Sequence, residues 1–187
     1  VSVPENGVIQ TLENPVTDTA GMRILKGNLS PHGAVCRPTG FPENMHKFSG
    51  PARTFDMEED AAEAIMRGNI KSGEVVVIRY EGCKGSPGMN ELMKATDGLI
   101  ARGMQDKVAL IADGRFSGFN HGSIIGHVSP EAYEGGLIAF VEDGDIISYD
   151  LEKGTLELEV DEAVIAERKQ HWVRPEPKIK SGVLSIY

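Results

Sequence analysis

Apolar and polar positions change period along this chain, and the changes mark its elements. Residues 75–79 (VVVIR) place three valines and an isoleucine in succession. Such a run without alternation predicts a strand buried on both faces. Residues 108–112 (VALIA) repeat the pattern. Between them, Leu92, Met93, Thr96, Leu99 and Ile100 recur at helical spacing, so 90–102 reads as a helix closed by Gly103. Residues 75–112 are therefore one β–loop–α–β unit, and its helix N-terminus faces the end of the loop. An earlier helix is predicted over 57–67 from Ala61, Ala64 and Ile65. Asp56 stands as its N-cap, Glu59 completes a capping box, and Gly68 is the stop.

Elsewhere the runs are short. Extended pieces are predicted at 22–26, 34–37 and 51–55, with the turn cluster GNLSPHG between the first two. Ser129, Pro130 and Glu131 read as an N-cap, a proline at the first helical position and a first-turn acid for one short turn ending near Gly135. Residues 137–141 and 145–149, joined by Asp143-Gly144, predict a hairpin. A second turn at 152–154 leads to 155–160, where Leu156, Leu158 and Val160 alternate with Glu157 and Glu159. Asp161 caps a last helix to about residue 170. The tail with Trp172, Pro175 and Pro177 is expected to drape over a surface. Many short strands with three or four helices describe an α+β domain built on a barrel or curled sheet.

Composition narrows the function classes. The 187 residues carry a formal net charge of −9, with 40% hydrophobic and 25% charged residues. That length buries a sizeable core in one domain. No cluster of Lys and Arg forms a stripe, which argues against nucleic acid as a partner, and no apolar run approaches the ~20 residues that span a bilayer. Residues 1–21 are polar, turn-rich and without an export signal. The chain enters mid-pattern without Met, so 1–21 is expected to be a lead-in from a missing N-terminal domain, with 22–187 as one domain. Cys36 and Cys83 have no CxxC or CxxH neighbours; they suggest a reducing cytoplasm and are too few for a closed zinc site or a cluster.

The candidate chemistry lies in two glycine loops that follow the two buried strands. One is 113–126, DGRFSGFNHGSIIG, and the other is 81–91, EGCKGSPGMNE. Glycines there let backbone N–H groups approach an anion closely. Residue type alone leaves Ser117 open between a turn former and a reactive hydroxyl; it is not in a G-x-S-x-G elbow. Glu91 reads either as a first-turn helix acid or as a ligand, and Lys84 either as a partner for an anionic substrate or as a solvated lysine. His121 and His127 fit hydrogen-bonded structural histidines better than metal ligands, since no i,i+4 or HxH spacing links them. From the residues alone, the loops make a polar, anion-friendly cleft without a complete catalytic set.

Five segments carry more. GNLSPHGAV (27–35), SGPARTFDMEEDAAEAI (49–65), GEVVVIRYEGCKGSPGMNE (73–91), ALIADGRFSGFNHGSIIGHVSPEA (109–132) and GGLIAFVEDGDII (135–147) occur in this order. Together they resemble the C-terminal domain of the dihydroxy-acid dehydratase family, which also includes sugar-acid and 6-phosphogluconate dehydratases. The resemblance runs from about Ile24 to the tail, and DGRFSG with HG…GHVSPEA looks like the dihydroxy-acid and sugar-acid branch. It implies a swivelling β/β/α barrel-like domain, similar to the mobile domain of aconitase-type enzymes. It also implies dehydration of a 2,3-dihydroxy acid to a 2-keto acid. An iron–sulfur cluster ([2Fe–2S] or [4Fe–4S]) on the missing N-terminal domain is the Lewis acid, and Mg²⁺ grips the substrate. On this chain the resemblance makes Ser117 the base, Glu91 a Mg²⁺ ligand, and Gly85, Gly88, Gly118 and Lys84 substrate-binding residues. It further implies a homodimer or homotetramer, and a chain that is inactive alone. Cys83, Asn90 and Phe119 depart from the family pattern, where proline, proline and often glycine stand. The competing readings are a non-catalytic module that binds a small carboxylate or phosphate, and an interaction domain whose glycine loops are only turns.

Overall fold

In the computed structural model, residues 8–16, 21–118 and 120–186 are described. The expected lead-in thus lies partly outside the described residues, and Phe119 lies outside them altogether. Eight strands form one sheet: β1 (Arg23–Leu25), β2 (Gly33–Cys36), β3 (Lys47–Phe55), β4 (Val75–Ile78), β5 (Ala109–Ala112), β6 (Ser123–Ser129), β7 (Ile146–Asp150) and β8 (Thr155–Leu158). Their order across it is β1-β2-β6-β5-β4-β3-β7-β8. The central run β6-β5-β4-β3 is parallel and the flanking pairs are antiparallel.

The two edges nearly meet. Lys26 bridges Thr155, donating its N–H to the Gly154 carbonyl at 2.8 Å and accepting from Leu156 N–H at 3.0 Å. Asn28 continues the seam with its side chain: Nδ2 donates to the Leu158 carbonyl at 2.9 Å, and Oδ1 accepts from Leu158 N–H at 2.7 Å. An amide side chain thus stands in for strand backbone, and the sheet is a nearly closed barrel without a long open edge.

Period-2 alternation divides the buried strands between two cores. Val75, Val77, Ala109, Ile111 and Ile125 point into the barrel. Val76, Ile78, Leu110, Ala112 and Ile124 point outward, where α1 (Glu58–Met66) and α2 (Lys94–Ala101) cover them through Ala61, Ile65, Ala95 and Leu99. An apolar run with no polar phase is what burial on both faces requires. The third helix, α3 (Glu162–His171), is capped as expected: Asp161 accepts from Ala163 N–H at 2.7 Å.

Several local expectations are corrected. Asp56 does not cap α1; the cap is Met57 with no side-chain bond, and the Asp56 carboxylate takes Arg79 instead, at 2.8 Å to Nε and 2.6 Å to Nη2. A charge-assisted pair outcompetes a lone cap bond. Helix α2 starts at Lys94 rather than near 90, and its N-terminal Ala95 N–H is taken by the buried Glu58 carboxylate at 3.1 Å. That helix end is therefore occupied from within. Residues 137–141 are not a strand: Leu137–Phe140 is a 3-10 turn, and β7 pairs with β3 and β8. The short turn is Ala132–Glu134, so Pro130 precedes it rather than opening it. Strand β6, a central one, was missed because its first residues read as the end of a glycine loop. The tail does lie over a surface: Trp172 Nε1 donates to Tyr80 Oη at 3.1 Å.

Candidate active site

Because β4, β5 and β6 run parallel, the segments after β4 and β5 emerge on one rim of the barrel. Sites in parallel sheets form at that carboxyl end. The two glycine loops are joined there. Glu91 and Arg115 make an isolated parallel bridge, and Leu92 N–H donates to the Arg115 carbonyl at 2.9 Å. A bridge sets paired Cα atoms about 5 Å apart and two further residues span at most about 7 Å, which puts Ser117 within about 12 Å of Glu91 at the backbone.

Carboxylates wire the loop over 79–93. Asp113, at the end of β5, is 2% exposed and accepts three backbone N–H bonds: Tyr80 at 3.1 Å, Glu81 at 2.9 Å and Ala132 at 2.8 Å. One side chain so ties the loop after β4 and the turn after β6 to the end of β5. Burial pushes its carboxyl up to about 6, with the nearby Glu131 charge acting the same way against the three amide bonds. Glu131 accepts from Lys84 N–H at 2.9 Å and Gly85 N–H at 3.0 Å. Glu81, 6% exposed, receives Lys178 Nζ of the tail at 3.0 Å.

Among the described residues three non-glycine positions hold positive φ, and all lie around these loops: Tyr80 (61°), Met89 (46°) and His127 (56°). Each such conformation costs of order 1–3 kcal/mol and persists only where its surroundings over-determine it. His127 has an identifiable cause. Val35 faces Gly126 and Gly33 faces Ser129, so β6 carries one residue more than β2 in that interval. This bulge turns the His127 N–H to the Gly114 carbonyl at 2.9 Å. The imidazole is held below its ordinary pKa by partial burial and then by the Arg115 charge.

Ser117 and Gly118 line a pocket of ≈ 190 Å³, with Cys36, Arg37, Phe116 and His127 among the walls. Burial pushes the Cys36 thiol up to about 11, so it is no thiolate there. The other candidates lie apart from this pocket. Lys84 Nζ is paired with Glu134. Gly85 packs on the Tyr80 backbone, where a Cβ would come within 2.8 Å of its carbonyl oxygen. Gly88, at φ 98°, sits beneath Leu184 of the tail. Cys83 and Asn90 are exposed. Arg37 carries no signal in the sequence, Glu131 reads there only as a first-turn acid, and His127 as a hydrogen-bonded structural histidine. The one available signal was a histidine inside an apolar strand-like run. A larger cleft of ≈ 600 Å³ lies between α3 and the 139–143 segment. Its arginines are engaged internally, Arg79 with Asp56 and the Ala139 and Val141 carbonyls, Arg168 with Asp145 and the Phe140 carbonyl.

For a metal the chain offers little by itself. Among the described residues no group of three or more His, Cys, Asp or Glu is placed to hold an ion. The exposed Glu91 carboxylate, a hard oxygen donor, fits one ligand of Mg²⁺. Buried Cys36 and exposed Cys83 do not make a cradle for an iron–sulfur cluster. No helix among the described residues is long and apolar enough to cross a membrane.

The barrel's parallel strands end in two joined glycine loops on one carboxyl rim, the end of a parallel sheet where sites form. Residues 7–187 match the family described as Dihydroxy-acid/6-phosphogluconate dehydratase C-terminal, and the chain belongs to that family. It is 54% identical over 180 residues to a dihydroxy-acid dehydratase of Geobacter sulfurreducens, covering 96% of this chain and 32% of that protein. It is 51% identical over 185 residues to that of Moorella thermoacetica (99% and 34%), and 48% identical over 180 residues to that of Methanococcus aeolicus (96% and 33%). The chain thus spans about a third of the length of the curated relatives it matches.

Proposed function

We propose that this chain is the C-terminal domain of a hydro-lyase that converts 2,3-dihydroxy acids to 2-keto acids, with an active site shared with an N-terminal domain. The observation that carries the reading is the Glu91–Arg115 bridge, which supports a common site for the residues that family resemblance makes ligand and base. Ser117, as its alkoxide, takes the C2 proton, and the C2–H electrons form the C2–C3 double bond as the 3-hydroxyl departs. That hydroxyl leaves as water with the proton that Ser117 gives back, which regenerates the alkoxide, and the resulting enol tautomerises to the 2-keto acid. A serine hydroxyl is a weak base at neutral pH and needs positive charge beside its alkoxide. In this reading Arg37 on the pocket wall and Arg115, two positions before Ser117 in the chain, contribute that charge. Glu91 is the carboxylate this chain offers to Mg²⁺. When bound on the N-terminal domain, an iron–sulfur cluster supplies the Lewis acid for the departing hydroxyl. Gly118 leaves open space beside the serine. In this reading Lys84, Gly85 and Gly88 act through the shape of the 81–91 loop. Mobility of the domain in the manner of aconitase-type enzymes, and activity only with the N-terminal domain present, belong to the same proposal.

The test is 2-keto acid formation by the longer protein that contains this chain, reconstituted anaerobically with iron, sulfide and Mg²⁺. Branched 2,3-dihydroxy acids and aldonic acids form the substrate panel. Ser117→Ala is expected to lower kcat by about 10²–10⁴-fold with the fold intact, the range for losing a positioned base. A mutant that matches wild type removes Ser117 from the chemistry. No turnover on any acid favours a non-catalytic carboxylate- or phosphate-binding module, for which the arginines on this face already argue.

A further inference from the structure

Arg37 is the one arginine on the wall of the Ser117 pocket, and its bonding is unfinished. It follows β2 directly and reaches across to the second glycine loop, where Nη2 donates to the Asn120 carbonyl at 2.6 Å. Its Nε is buried without a hydrogen-bond partner. Among the described residues no carboxylate lies within ion-pair distance of Arg37, nor of Arg23 or Arg115. Both neighbours act on the pocket: the Arg23 charge is felt by Cys36 and the Arg115 charge by His127. In a chain of net charge −9, acids are plentiful, yet among the described residues none lines the Ser117 pocket. Arg53, Arg67, Arg79 and Arg168 all have carboxylate partners.

A guanidinium held partly out of water without an anion is unfavourable by itself. Room has been kept for it, since a Cβ on Gly40 would press to 3.3 Å of Nη2 and 3.4 Å of Nε. The rest of the pocket wall mixes apolar Val35, Phe116 and Ile124 with polar Ser117, Asn120 and His127, so Arg37 is its one fixed positive charge. We propose that Arg37 anchors the carboxylate of the small 2-hydroxy acid that occupies the Ser117 pocket. Arginine suits the task because its planar fork of donors matches a carboxylate. The inference deepens the dehydratase reading and rests on it only for the identity of the acid.

The probe is 2-hydroxyisovalerate, which lacks a 3-hydroxyl and cannot be dehydrated. It is titrated into the 187-residue chain with arginine Nε–H signals followed by NMR and chloride as the ionic control. The Arg37 Nε–H signal is expected to shift saturably with the acid and not with chloride. Arg37→Lys keeps the charge but loses the fork and should weaken binding roughly tenfold, the scale of one charge-assisted hydrogen bond. Arg37→Met should abolish binding, and the exposed control Arg102→Met should bind as wild type. An Arg37 signal unmoved at saturation, no binding at all, or wild-type affinity in Arg37→Met overturns the anchor. Turnover of a 2,3-dihydroxy acid by the longer protein with an unchanged KM in Arg37→Lys also overturns it while leaving the reaction standing. Binding through Arg37 with no 2-keto acid formed leaves the anchor standing and removes the reaction.

Discussion

The two glycine loops share a rim but are built on opposite electrostatic plans. The 79–93 loop is wired by acids: Asp113, Glu131 and Glu81 hold its amides or the tail's lysine, and much of its backbone is buried. The 113–122 loop is flanked by Arg37 and Arg115, is tied at its far end through Asn120 to Arg37 and through Gly122 N–H to the Gly40 carbonyl at 2.9 Å, and has exposed positions at Arg115, Gly118 and His121. Fixing a backbone with buried carboxylates gives rigidity without presenting side chains. Leaving unneutralised arginines beside an open loop gives a surface that still has an anion to find. Under the proposed function the first loop is scaffold for a carboxylate ligand and the second the seat of an anionic substrate.

The comparison breaks most readily at Asp113. Asp113→Asn puts an NH₂ group against amide donors and should cost about 3 kcal/mol in urea unfolding, as expected for buried polar groups left unpaired. The pH dependence has a definite sign. The folded carboxyl, raised to about 6 by burial, binds its proton more tightly than the unfolded chain. This group therefore adds stability as pH falls from about 6 toward 4, and that contribution is lost as pH rises through 6. Asp113→Asn should flatten that part of the profile, and an unchanged profile would refute the assignment.

The glycines give the next contrast. Gly85→Ala drives a Cβ to within 2.8–2.9 Å of Tyr80 backbone atoms and should cost about 2 kcal/mol through overpacking. Gly118→Ala meets nothing within 4 Å and should stay within about 0.5 kcal/mol. Equal thermal shifts for the two would show the loops to be alike after all. Between them in size, Lys178→Met leaves Glu81 without its cation. Lys178 is 33% exposed and Glu81 7%, so screening limits the loss to about 1 kcal/mol. Faster amide exchange confined to 80–91 would locate the effect on the acid-wired loop, whereas a change spread to 113–122 would blur the distinction.

Much of this design was legible from the pattern of residues. The runs at 75–78 and 109–112 announced buried strands, Asp161 announced its helix, and the glycine loops announced the rim. The misreadings share one cause: local signals were overridden by distant partners. Asp56 looked like a cap until Arg79 claimed it, and 137–141 looked like a strand although β3 and β8 already flank β7. Arg37 carried no local signal at all, because its meaning comes from Asn120 and Ser117, which only the fold brings to it.

By itself, then, the sequence determined the elements that short-range physics governs: apolar periodicity, glycine turns, one helix cap, and the ordered segments that mark the family. The tertiary structure alone decided the seam where Asn28 closes the barrel, the bulge that strains His127, the three loops drawn onto Asp113, and the bridge that joins Glu91 to Arg115. Those depend on contacts between residues far apart in the chain, whose formation is governed by the packing of two cores rather than by any residue's own preference.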